Sequence, residues 1–107
     1  MPMIHIEYDN TKVTDEDIIK LADAIQKIVS TATQIEDVFV YANSAHIKLK
    51  IAPLEIFIQM SAHKITDRET LFNAIKVQLA DWNLKNKFQH PLNLTLIPME
   101  WKFETGI

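Results

Sequence analysis

Pro2 is the residue of this chain best placed by type and position to do chemistry. It follows Met1 and opens the run Met3-Ile4-His5-Ile6-Glu7-Tyr8. A starting methionine before a small residue such as proline is commonly removed, and the proline then carries a free secondary amine. An unperturbed α-amino group has a pKa of roughly 7.7–8.0. Apolar burial or a nearby cation lowers it, so more of the amine is neutral at pH 7. A general base works best with a pKa near the operating pH. While Met1 stays attached, the Pro2 nitrogen is a tertiary amide without a basic lone pair.

Other chemistries fare worse. The chain has no cysteine, which excludes disulfides, thiol catalysis and thiolate metal sites. Its one glycine, Gly106, excludes glycine-rich phosphate loops and dinucleotide fingerprints. His5, His46, His63 and His90 show no paired helical spacing and no completing carboxylate, so no metal is expected. His5 alternates away from Ile4 and Ile6, with Glu7 on the same side as its expected partner. The net charge of −3 and scattered lysines argue against nucleic acid. No apolar run approaches the ~20 residues of a membrane helix, and no signal-peptide pattern opens the chain. A cytoplasmic location is the plain expectation.

The 107 residues suit one domain, 1–107. Within it a shift of 52 residues aligns two halves, approximately 3–50 and 54–99, without a gap. Ile4-His5-Ile6-Glu7 falls on Ile56-Phe57-Ile58-Gln59, and Lys12-Val13-Thr14-Asp15 on Lys64-Ile65-Thr66-Asp67. Each half reads strand, loop, helix, strand. Alternation marks the strands. Thr14 and Thr66, each with an acid three residues on, mark helix starts. Ile18, Leu21, Ala22, Ile25, Ile28 and Val29 form one helical apolar face, and Leu71, Phe72, Ile75, Leu79 and Trp82 another. Val38–Tyr41 and Leu92–Ile97 read as the later strands, with Pro98 at an end or edge. His46–Lys50 reads as a short edge strand with Lys48 and Lys50 facing water. Asn83–Gln89 reads as a polar loop.

Two β-α-β units with right-handed crossovers make an α+β, two-layer fold. It has a four-stranded sheet with both helices on one face. Nothing in 107 residues remains to cover the other face, so an oligomer is expected.

Met1-Pro2, opening strand one of a duplicated β-α-β chain, resembles the tautomerase superfamily. The length is similar to its double-length members, 5-carboxymethyl-2-hydroxymuconate isomerase and macrophage migration inhibitory factor. The resemblance implies a homotrimer and one catalytic amine per chain, since Leu54 stands at the position equivalent to Pro2. It implies that neutral Pro2 takes a proton from carbon beside a carbonyl and returns it elsewhere on the conjugated system. It implies a small carbonyl or carboxylate substrate and no cofactor. Family arginines that clamp carboxylates are missing: Phe39 stands where one would fall. The only arginine, Arg68, reads as a solvated residue of the second helix.

The remaining candidate substrate-binding residues each have an ordinary reading beside the functional one. Ser61 offers a backbone N–H to a substrate oxygen, or is a strand-end hydroxyl. Thr95 reaches a neighbouring chain's pocket, or is a β-branched packing residue. Trp101 and Phe103 wall the pocket, or are interface aromatics. The alternative to an enzyme is a small-molecule binding module, either ferredoxin-like with an antiparallel sheet or tautomerase-like without activity.

Overall fold

The structure is a computed structural model that describes residues 2–100, 102 and 104–107. Strand β1 spans Met3–Tyr8 and helix α1 Asp15–Thr33. Strands β2 (Phe39–Asn43) and β3 (Leu54–Ser61) follow, then a short 3-10 turn at Ala62–Lys64. Helix α2 spans Arg68–Asn86 and strand β4 Leu94–Met99. The sheet order is β2-β1-β3-β4. The outer pairs, β1–β2 and β3–β4, are parallel, and the central pair is antiparallel. The crossover helices supply the length that parallel neighbours need. These parallel pairs depart from the antiparallel sheet that a ferredoxin-like module required.

Period-two alternation divides the sheet. Ile4, Ile6, Leu54, Ile56 and Ile58 are buried on the helix side. They join Ile18, Leu21, Ile25, Ile28 and Val29 of α1 and Ile75 and Leu79 of α2 in one core. In the central ladder Ile4 pairs with Ile58, Ile6 with Ile56, and His5 with Phe57. The shift of 52 residues also carries His5 onto Phe57, so these two equivalents face each other at the ladder's midpoint.

Helix starts follow the acid-and-hydroxyl signals, with one change. Thr14 accepts from the Asp17 N–H at the start of α1. At α2 the cap is Asp67 rather than Thr66: its carboxylate accepts from the N–H groups of Glu69 and Thr70. A carboxylate suits the positive helix end better than a hydroxyl. Two further expectations fail. His46–Lys50 forms no strand. Asn83–Gln89 is no polar loop, because α2 runs to Asn86 and Phe88 beyond it is buried against Trp82, with ring centroids 5.2 Å apart. Apolar contact outweighed the local polarity there.

Candidate functional site

Pro2 lies immediately before β1, and its side chain is fully buried. Its carbonyl accepts from the Phe39 N–H at 3.2 Å, which ties the chain start to β2. Pro2 has the parity of Ile4 and Ile6, so its ring belongs to the helix side of the sheet. One step beyond the paired positions of the ladders, its neighbours in register are Val38 and Met60, both buried. Apolar surroundings of this kind destabilise a charged amine.

Phe39 pairs with Met3 and Ser61 closes β3, so both sit at the Pro2 end of the sheet. Phe39 is exposed on the sheet face turned away from the helices, and Ser61 is half-buried. Thr95 is elsewhere. It pairs with Phe57 in β4, on the outer edge of the sheet. Two strand spacings and three residues separate it from Pro2, a span of roughly 14 Å. Thr95 of the same chain therefore cannot share a small-molecule site with Pro2. Trp101 and Phe103 lie outside the described residues.

The uncovered sheet face is ordered in rows. Tyr41, His5, Phe57 and Thr95 form one, and Phe39, Met3, Gln59 and Ile97 the next. His5 stacks on Tyr41 with centroids 5.4 Å apart, and not on its expected partner: among the described residues it forms no ion pair with Glu7. Like-charged Glu55 pairs beside Glu7, which leaves that end of the face acidic.

Sequence reading treated Arg68 as solvated, and it is exposed. It also lies in the wall of a cavity of about 670 Å³ between α2 and β4, with Glu69, Phe72, Leu94, Leu96 and Thr95. Pro2 is absent from the walls of this cavity and of four smaller ones among the described residues.

The shifted ionisations belong to the framework. Thr11's hydroxyl and backbone N–H hold the Asp9 carboxyl below its ordinary value. Backbone and side-chain hydrogen bonds from Thr70, with one from Glu69, do the same for the Asp67 cap. The Tyr8 hydroxyl donates to Asp15 at 2.7 Å, which raises its pKa. Tyr8 and Asp9 lie at the far end of β1 from Pro2. Sequence spacing missed one long-range pair: His90 Nε2 and Asp17 Oδ2, 3.2 Å apart, 73 residues apart in sequence. No group of three or more acidic or histidine side chains among the described residues is arranged to hold a metal ion.

No family model and no curated protein sequence matches the chain. Solved structures do. A fused 4-OT protein described as a symmetric trimer superposes with a TM-score of 0.68 over 98% of this chain and 94% of its own, at 9% identity. Malonate semialdehyde decarboxylase gives 0.68 over 98% and 92%, at 14% identity. A macrophage migration inhibitory factor-like protein from Entamoeba histolytica gives 0.64 over 96% and 95%, at 16% identity. The chain has the tautomerase-type fold. Its sheet order places the residue that opens β1 between β2 and β3, which is where Pro2 sits. No helix among the described residues is long and apolar enough to cross a membrane.

Proposed function

We propose that the chain is a cofactor-independent tautomerase whose base is the free amine of Pro2 once Met1 is removed. The observation that carries this reading is the fully buried Pro2 ring at the head of β1 in a tautomerase-type fold. Malonate semialdehyde decarboxylase has been solved as the wild type, with a proline replaced by alanine, and in an inactivated form. In this reading the neutral amine takes the proton from carbon next to a carbonyl. The electron pair moves onto the oxygen as an enolate, and the proton returns to another carbon of the conjugated system. Phe39 and Ser61 of the same chain stand at the Pro2 end of the sheet and in this reading border the substrate. The chain assembles as a cytoplasmic homotrimer, in keeping with the uncovered sheet face and with neighbours described as trimers. Thr95, Trp101 and Phe103 then reach the site from a neighbouring copy.

The test is conversion of phenylenolpyruvate or 2-hydroxymuconate from enol to keto form by protein lacking Met1, with the N-terminus verified by mass. Pro2→Ala should lower the rate by roughly 10²–10⁴-fold, the usual worth of a general base. Equal rates for Pro2→Ala and the parent rule the base out. A second reading is an inactive binder on the same fold, in keeping with Phe39 standing where a carboxylate-clamping arginine would fall. It predicts no turnover with either residue.

A further inference from the structure

The connection from α2 to β4 takes an unusual path. Among the described residues, three without glycine's freedom have left-handed backbone, and two of them are here: Lys87 at φ 50° and Gln89 at φ 65°. Left-handed backbone costs a side chain free energy, so such a path persists only where its surroundings hold it. Three contacts hold this one. Phe88 is buried against Trp82, and its N–H donates to the Asn83 carbonyl at 3.2 Å. The Asn83 side-chain amide donates to the His90 carbonyl at 3.3 Å. The third contact leaves the connection: His90 Nε2 lies 3.2 Å from Asp17 Oδ2 on α1. The first two contacts are neutral, and only the third can gain or lose a charge.

Both members of that pair are half-buried. Asp17 stands at the third position of α1, where an acid usually reaches back to the N–H of the capping residue. Here its carboxylate turns to His90 instead. The charged groups on the elements around the imidazole are few. Asp15 and Glu16 share the first turn of α1, with Lys20 in the next, and Asp15 accepts from the Tyr8 hydroxyl. Lys87 is the other cation of the connection, and Lys85 at the end of α2 is paired with Asp81. The remaining neighbour is the Phe88 ring, nearly perpendicular to the imidazole with centroids 4.8 Å apart. No cation in this set is paired with Asp17, which leaves His90 as its partner. The shift of 52 residues carries His90 onto Val38, which is buried and apolar. The first half of the chain closes the same connection without a titrating group.

We propose that His90 and Asp17 form a pH-operated latch, which closes the α2–β4 connection on α1 when the imidazole is protonated and loosens it on deprotonation. Imidazole changes charge between about pH 5 and 8. A charged donor holds a carboxylate roughly twice as strongly as a neutral one. The stabilisation is therefore present in mild acid, where the carboxylate is still ionised, and is lost as pH rises. The loosening reaches β4 because Asn93 follows directly: its carbonyl accepts from the Ile56 N–H at 2.8 Å, and its amide donates to the Leu54 carbonyl at 3.1 Å. Strand β4 is at the sheet's edge, so no further strand of its own chain holds it from the other side. The latch is built from the chain's own fold and stands whether or not Pro2 is a base.

The experiment is a double-mutant cycle on the full chain, with His90→Gln, Asp17→Asn and both together, read by denaturant unfolding at pH 5.5 and pH 8. Both replacements are close in shape, and far-UV circular dichroism checks that the fold persists. At pH 5.5 the two positions should be coupled by roughly 3–10-fold in the unfolding equilibrium constant, and at pH 8 by less than about 1.5-fold. Amide hydrogen exchange of Phe88 and Ile56 reads the connection itself. At pH 5.5 both should exchange roughly 3–10-fold faster in His90→Gln than in the parent, and at pH 8 at nearly equal rates. Coupling that is equal at the two pH values makes the pair a fixed hydrogen bond and overturns the inference. So does an absence of coupling at pH 5.5. Exchange ratios at Phe88 and Ile56 that do not change with pH overturn it as well, because the pair then has no hold on the connection.

Discussion

Helices α1 and α2 have the same length, 19 residues, yet α1 buries six residues and α2 only two. Ile18, Leu21, Ala24, Ile25, Ile28 and Val29 put one face of α1 against the core. On α2 only Ile75 and Leu79 are buried, while Leu71, Phe72 and Trp82 are half-buried. Val77 is 66% exposed. Shared topology did not produce shared burial, because burial depends on what each helix lies beside. Helix α1 touches β2 as well as α2, whereas α2 borders the open groove at the β4 edge. The first half completes its packing inside the chain, and the second leaves apolar surface of α2 and β4 facing the groove.

Mutations can break this contrast. The largest effect should come from Ile25→Ala, at about 2–5 kcal/mol of stability in denaturant unfolding. Val77→Ala, two residues along α2 from buried Ile75, should stay within about 0.5 kcal/mol. Comparable losses at both positions would show that α2 packs as fully as α1.

The two helix starts give a smaller contrast, in which only one of them depends on pH. Thr14→Ala removes a neutral cap and should cost about 1 kcal/mol at any pH. Asp67→Asn removes a carboxylate whose folded pKa is depressed by Thr70 and Glu69. A depressed folded pKa means the stabilisation is complete above the unfolded value, about 3.9, and fades as pH falls through the folded one. The gap between Asp67→Asn and the parent should therefore close in acid, read from melting temperatures at pH 7 and pH 2.5. A gap that is constant with pH would mean the carboxylate charge plays no part.

The smallest effect concerns a feature the helices share. Lys27 and Asp23 on α1, and Lys85 and Asp81 on α2, form exposed i,i+4 pairs at 3.0 Å. Lys27→Ala and Lys85→Ala should each shift stability by no more than about 0.5 kcal/mol, and by equal amounts. A larger loss at Lys85 alone would mean that α2 depends on surface pairs for the hold that α1 gets from burial.

Local pattern in the sequence was enough to mark β1, α1 and the apolar stripe that α1 buries. It also placed Pro2 at the head of β1 and left one sheet face without a cover. These readings succeed because alternation and helical spacing are properties of neighbouring residues. Where distant residues compete, local pattern misled. His46–Lys50 alternates like a strand, but it pairs with neither open edge of the sheet, that of β2 or that of β4. Asn83–Asn86 looks polar, but Phe88 burying against Trp82 keeps the helix running. Thr66 and Asp67 both resemble caps, and the choice between them depends on where the turn at Ala62–Lys64 delivers the chain.

The amino-acid sequence by itself determined which residues of β1, β3 and α1 face the core and that proline stands just ahead of the first strand. Both follow from side-chain chemistry and chain direction alone. Only the tertiary structure decided that β1 has a parallel neighbour on one side and an antiparallel one on the other. It alone put Phe39 and Ser61 at the Pro2 end, left Thr95 on the far edge, and set Asp17 against His90. Those choices pit one long-range pairing against another, and the energies that settle them are summed over the whole sheet.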